Sequence, residues 1–308
     1  MSKIRVQRHK HYKDWELKTD LADSPYPAES ALVGRLRSNP SRMFYPYPFK
    51  YTEDNDYHYH LAFLVEAVEL LPMKFDLSFD AIWRAFESFY AGRVIAPKPF
   101  KPGDEAPGLA TLIDGQPEHD LVLNQLLNSV PVQCCEYMIE RIFSQWQVVG
   151  SDYQKIWNRL NNPAGHHNSV ILLLTKMAQK YGAPHMNGVG RRQSAILLHK
   201  SLAGEEVDVL GSKIILPRPE RISFMFNALL YTFRNDRFHG SMQPPFKSSV
   251  GTLQTYAHAH YCFIWGHFLF LFSATLSTPA FASHRELAQN TAQNLDTFFD
   301  FYGSHLKA

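Results

Sequence analysis

The segment Arg234-Asn235-Asp236-Arg237-Phe238-His239-Gly240 sets a permanent cation, a bidentate amide and a titratable imidazole within six residues, Arg234 to His239. Arginine suits phosphate because its planar fork is always charged and donates two parallel hydrogen bonds. Histidine is the side chain whose ordinary pKa lets it take and return a proton near neutrality. Phosphodiester cleavage needs both, one group for the charge and one for the proton. An element must present them. Upstream, Ile222, Met225, Phe226, Leu229, Leu230 and Phe233 recur as one face of a buried helix. Downstream, Gly240 and Pro244-Pro245 stop it. The pattern therefore predicts a helix over about 218–237 that carries Arg234 and His239 to the rim of a core. The plainer alternative is a helix C-terminus where basic side chains complement the macrodipole and Gly240 is a left-handed cap.

The run Leu229-Leu230-Tyr231-Thr232-Phe233-Arg234-Asn235-Asp236-Arg237-Phe238-His239-Gly240 resembles the Arg-Asn-x-x-x-His-Gly signature of HEPN domains. A second segment, Phe79 to Tyr90 with Trp83 and Phe86, is similar to an aromatic-rich early helix of such domains. The resemblance implies a helical bundle, commonly dimeric, in which the Arg and His act in metal-independent RNA cleavage. It also implies frequent membership of toxin–antitoxin, antiviral-defence and CRISPR-associated systems. Carried onto this chain, it makes Arg234, Asn235 and His239 the catalytic set, with Asn235 positioning the phosphate or holding His239 in one tautomer. Asp236 and Arg237 fill variable positions, and Arg237 is a further phosphate-binding candidate. No metal or cofactor is expected. The expected partners are RNA, a second copy forming a composite site, and an antitoxin or a sensor that activates the enzyme. The alternative is a non-catalytic HEPN-type subunit that binds RNA or protein under such a sensor.

With 308 residues, 45% hydrophobic and 14% aromatic, the chain can bury one large core or two small ones. A net charge of +2 and a pI near 8.3 lack the footprint of a strongly basic nucleic-acid binder, so RNA contact must come from local patches. Cys134, Cys135 and Cys262 form no disulfide framework and read as reduced, buried thiols. The basic start, Met1 to Arg5, leads into no apolar run, so no signal peptide and a cytoplasmic location are expected. Tyr261 to Leu276 is nearly all apolar, but falls short of the roughly 20 residues a bilayer needs and contains His267. It reads as a core helix from a cap at Ser248 or Ser249 to Thr278-Pro279, forming the spine of the bundle or much of a two-fold dimer interface.

The expected organisation is an extended basic and aromatic arm over 1–56, then a mainly α HEPN-type domain over 57–308 with a large insertion at about 93–216. Helices are expected at about 57–71, 78–92, 118–129, 132–149, 151–161, 167–181, 190–203, 218–237, 249–277 and 281–303. The proline-rich stretch 93–116 reads as a loop. Val207–Leu210 and Lys213–Leu216 flank Gly211-Ser212, which reads as the turn of one small β-hairpin.

Other constellations compete. In Asn187-Gly188-Val189-Gly190-Arg191-Arg192, two glycines and two arginines at a helix start offer backbone N–H groups and charge to a phosphate, with Arg191 and Arg192 as RNA-binding candidates or a capped basic loop as the alternative. In the arm, Arg5, Arg8, Lys10 and Lys13 interleave with His9, His11, Tyr12 and Trp15, a composition of RNA stacking or of a solvated tail. His58-x-His60 and His258-x-His260 lack partners at metal-ligand spacing and read as solvated or core residues. Glu87, on the Trp83 helix, is a candidate orienting carboxylate or a surface ion pair.

Overall fold

A computed structural model describes residues 6, 9–10, 12–15, 26–39, 42–93, 101–144, 154–161, 168–182, 187–239, 245–247, 251–277 and 282–306. The chain is mainly α with one small β-hairpin. It divides into two compact units, Met1–Phe100 with Met242–Leu306, and Lys101–Ser241. The boundaries thus fall at 100 and 241 rather than at 93 and 216, and the motif helix belongs with the segment expected to be an insertion.

The first unit contains α1 (Pro27–Ser38), α2 (Asn55–Glu69), α3 (Phe75–Arg93), α12 (Leu253–Ser277) and α13 (His284–Leu306). Its spine is α12, buried without interruption from Ala259 to Thr275 against α3, α13 and α1. A helix apolar on every side must be covered on every side. Gly266 allows the closest approach: a Cβ there would stand 3.0 Å from Ile82 Cγ2 and 3.4 Å from Phe79 Cδ2 on α3. At 25 residues this helix is long enough to cross a bilayer, so the expectation that length excludes a membrane span does not hold. Burial argues against a span: 94% of its most apolar window lies inside the unit. The apolar surface of α12 is already covered within one chain, as the spine of a bundle requires. The expected caps Ser248, Ser249 and Thr278-Pro279 lie outside the described residues.

Of the arm's basic and aromatic candidates, Lys10 and Lys13 are exposed, whereas Arg5, Arg8 and His11 lie outside the described residues. Tyr12, Trp15, Phe44, Tyr47 and Phe49 are buried. The Tyr12 hydroxyl meets His267 Nε2 at 3.1 Å and accepts from the Tyr47 N–H at 3.3 Å. Residues 42–54 form no helix or strand. Part of their backbone is satisfied by α13 side chains instead. Asn294 Oδ1 accepts the Tyr45 N–H at 2.8 Å, and Asn290 and Asn294 both donate to the Tyr45 carbonyl. Segment 78–92 starts earlier than expected, because Ser78 is no cap: its hydroxyl is buried and donates to Ala67 O at 2.6 Å, tying α3 to α2.

The second unit contains α4 (Pro102–Asp114), α5 (Asp120–Asn128), α6 (Val132–Phe143), α7 (Gln154–Leu160), α8 (Asn168–Tyr181), α9 (Gly188–Leu202), β1 (Val207–Val209), β2 (Ser212–Ile214), α10 (Arg218–Phe224), a π segment (Met225–Leu230) and α11 (Tyr231–Phe238). The expected proline-rich loop is a helix over 102–114. Pro102 stands in its first turn, where a missing N–H costs nothing, so this proline starts a helix rather than barring one. The hairpin turns at Leu210-Gly211, one position before the expected Gly211-Ser212, with both φ angles positive (55° and 75°) and Val207 opposite Ile214. A two-residue turn of this hand needs positive φ at both central positions. Asp208 Oδ1 takes the Gly211 N–H at 2.9 Å and holds it. The three cysteines are free and buried, and burial pushes the Cys135 thiol up, which keeps it protonated and unreactive.

Candidate functional site

The expected single helix over 218–237 is interrupted. Between α10 and α11 the backbone widens into the π segment, all six of whose residues are buried. In an α-helix the Tyr231 N–H would bond to Asn227 O; here it reaches back to Phe226 O. Asn227 O is served from outside by Arg159 Nη2 at 2.9 Å, with the Thr232 hydroxyl at 3.4 Å. The widened turn thus opens a backbone acceptor inside the unit, and an arginine at the end of α7 fills it.

Beyond the π segment, α11 carries the motif. Arg234 Nη1 donates to Asn235 Oδ1 at 3.0 Å. The Arg234 guanidinium lies over the Phe238 ring, with Cζ 4.4 Å from its centroid, and 5.9 Å from that of Tyr231. Stacking on two rings helps hold the planar cation in place. His239 follows the last helical residue; its backbone N–H bonds to Asn235 O at 3.0 Å and its side chain is exposed. Among the described residues the imidazole has no hydrogen-bond partner. The structure therefore brings Arg234 and Asn235 together and leaves His239 open to solvent. Asn235 turns its amide to Arg234 rather than to the histidine, so it does not hold the tautomer. Gly240, the expected cap, lies outside the described residues.

Asp236, read from sequence as a variable position, is an anchor. Its carboxylate accepts from the Tyr137 hydroxyl at 2.7 Å and from Arg141 Nε at 2.7 Å, both on α6. With the side chains of Arg141 and Asp236 only 20% and 12% exposed, this pair is shielded enough to matter. Arg237 lies over Phe233, with Cζ 5.7 Å from the ring. No spacing in the sequence could have revealed the Asp236 role, since its partners stand about a hundred positions away.

Arg191 and Arg192 do stand at the start of α9, where Asn187 caps the helix by accepting the Val189 N–H at 2.9 Å. Each already meets a carboxylate of α6: Arg191 Nη1 lies 3.3 Å from Glu140 and Arg192 Nη1 3.0 Å from Glu136. An incoming phosphate would have to compete with these pairs. Trp83 is a core residue of α3 and Glu87 lies on the same helix, both in the first unit, whereas the motif lies in the second. His60 and His260 are core residues, and no group of three His, Cys, Asp or Glu among the described residues is placed to hold a metal ion. Comparison of the chain with protein-family models, curated proteins and solved structures finds no match.

Proposed function

We propose that this chain is a HEPN-type, metal-independent endoribonuclease. The observation that carries the reading is the end of α11, where Arg234 is braced by Asn235 and two rings while the His239 imidazole stands open to solvent two residues beyond Arg237. In the mechanism, His239 removes the proton of a ribose 2′-OH. That oxygen attacks the adjacent phosphorus and expels the 5′-oxygen, leaving a 2′,3′-cyclic phosphate. Arg234 neutralises the charge that grows on the phosphorane oxygens, and Asn235 fixes the guanidinium that does so. Arg234 and His239 are five positions apart, and among the described residues the His239 imidazole has no hydrogen-bond partner. A composite site, in which a second copy supplies the complementary acid or cation, completes the acid–base pair. Service as a toxin or antiviral effector in the cytoplasm, held by an antitoxin or switched by a sensor, belongs to the same proposal.

The exposed His239 imidazole, without a hydrogen-bond partner among the described residues, also favours a second reading, a non-catalytic subunit that uses the same helix end to bind RNA or a partner protein. One experiment separates them. The purified chain, incubated with single-stranded RNA in EDTA, is expected to yield cyclic phosphate ends. His239→Ala should lower the rate at least ~100-fold, the scale of general acid–base catalysis, with unchanged melting. Arg234→Lys keeps the charge but loses the fork, and should cut turnover more than RNA affinity. Cleavage that needs added Mg²⁺, or that survives His239→Ala, would sink the nuclease reading.

A further inference from the structure

Arg159 was not part of the motif, and the structure gives it an unusual position. It lies near the end of α7 and is half-buried. Both of its hydrogen bonds leave from Nη2, to Asn227 O at 2.9 Å and to Thr232 Oγ1 at 3.0 Å. Nε is buried with no acceptor, and among the described residues no carboxylate pairs with the guanidinium. Burial pulls its pKa down to about 10, so it stays charged at neutral pH. Other arginines of the same unit are answered differently. Arg141 meets Asp236, Arg192 meets Glu136, and Arg218 meets Asp114 and Asp120. Arg221 donates to Leu202 O at the C-terminal end of α9, where the helix supplies negative potential. A half-buried cation with no counter-charge is costly to keep. Filling the π segment's carbonyl accounts for one end of the group and needs no positive charge.

The second observation is what Arg159 faces. Its Cζ stands 5.0 Å from the centroid of Tyr231, the same ring that has Arg234 Cζ at 5.9 Å. Two guanidinium groups are therefore gathered on one tyrosine in the first turn of α11. One belongs to the motif, and the other is delivered from a different helix by the π segment. Two cations fixed about one ring match a ligand with repeated anions, which is what a polynucleotide backbone is.

We propose that Arg159 is a second phosphate-binding position of the candidate site, holding a backbone phosphate of single-stranded RNA beside the one that Arg234 takes, with Tyr231 shared by both. The inference rests on the RNA reading above and gives that site a footprint of more than one nucleotide. Arg159 binds and positions; it takes no part in proton transfer.

The test uses the full chain and a 2′-O-methylated oligoribonucleotide of about 20 nucleotides, which can bind but offers no 2′-OH to attack. Affinity is measured against salt concentration. Arg159→Gln is expected to weaken binding about 5- to 10-fold and to flatten the log–log salt slope by about 0.7, the loss of one phosphate contact on a single strand. Arg159→Lys should keep the slope and lose only the gain from the planar fork. Unchanged affinity and slope in folded Arg159→Gln would overturn the proposal. Should that variant fail to fold, Arg159→Lys decides through its affinity, which must fall about 2- to 5-fold. Wild-type melting gives a control without substitution: pyrophosphate should raise Tm above that in sodium chloride of equal ionic strength, and no rise counts against the site. Normal binding without cleavage of unmodified RNA removes the nuclease reading and leaves Arg159 in place. Cleavage by the wild type with no effect of Arg159→Gln removes Arg159 and leaves the nuclease. Absence of RNA binding removes both.

Discussion

The central helix of the first unit and the motif helix of the second both carry imidazoles among aromatic rings, and they treat them in opposite ways. On α12, His260 is stacked on Phe75 at 4.0 Å and edged by Phe298 and Tyr302, with both ring nitrogens buried and without a partner. His267, two turns on, lies edge-on to Phe44 and keeps one hydrogen bond, with the Tyr12 hydroxyl. These rings serve as slightly polar aromatics. On α11 the rings lie beside a cation, with Phe238 half-exposed under Arg234 and His239 exposed after it. The difference lies in what surrounds each ring, since the residue types are the same. Where helices cover every side, a histidine is held neutral; where a helix runs out at a surface, its ring meets solvent.

The comparison can be broken most forcefully with acid. Burial pulls His260 and His267 down to about 3 and His60 to about 4, all below their ordinary value near 6.5. A depressed folded-state pKa means that the unfolded chain binds the proton more readily. The stabilising contribution is complete above pH 6.5 and is lost as pH falls from there toward about 4 for His60 and about 3 for His260 and His267. Each such group contributes a slope of up to about 1.4 kcal/mol per pH unit, so three together should remove several kcal/mol by pH 4.5. Urea midpoints should fall steeply below pH 6, and His260→Phe, which keeps the ring, should soften the fall. A flat pH profile would mean that water reaches these imidazoles.

Next in size is the packing of the first unit. Trp83→Ala empties a fully buried site on α3, and should cost about 3–5 kcal/mol in denaturant unfolding. A loss under 1 kcal/mol would show that α3 and α12 are less tightly packed than the approach at Gly266 implies. The smallest effect is expected in the second unit. Asp236→Asn leaves Arg141 without its carboxylate and should cost about 1–3 kcal/mol. It should also loosen α11 enough to lower any RNA affinity of the site. An Asp236→Asn chain as stable as wild type would show that α11 needs no anchor on α6.

The helices were legible because their apolar positions repeat, and the face from Ile222 to Phe233 is buried as that repeat implies. What the repeat hid was the π segment, since a run such as Met225–Leu230 fits a buried helix of either pitch. Pro102 misled because a proline that ends helices in their interior begins them in the first turn. The arm misled because basic and aromatic composition describes a surface as readily as a covering layer. Tyr12 is buried against His267 of α12, far away in sequence, and Trp15 packs on Phe44.

By itself, the sequence determined that the chain is mainly α, that 253–277 is a core helix, and that Arg234, Asn235 and His239 stand at the end of another. These follow from local periodicity and from stop signals next to each segment. Tertiary structure alone decided which helices share a unit, that Asp236 is an anchor, that Asn235 serves Arg234, and that Arg159 joins the ring of Tyr231. The Asp236 and Arg159 contacts join residues distant in the chain, and the Arg234–Asn235 bond depends on side-chain directions that no spacing specifies. Hydrophobic pattern fixes which face of a helix turns inward, but only the packed partner fixes what that face meets.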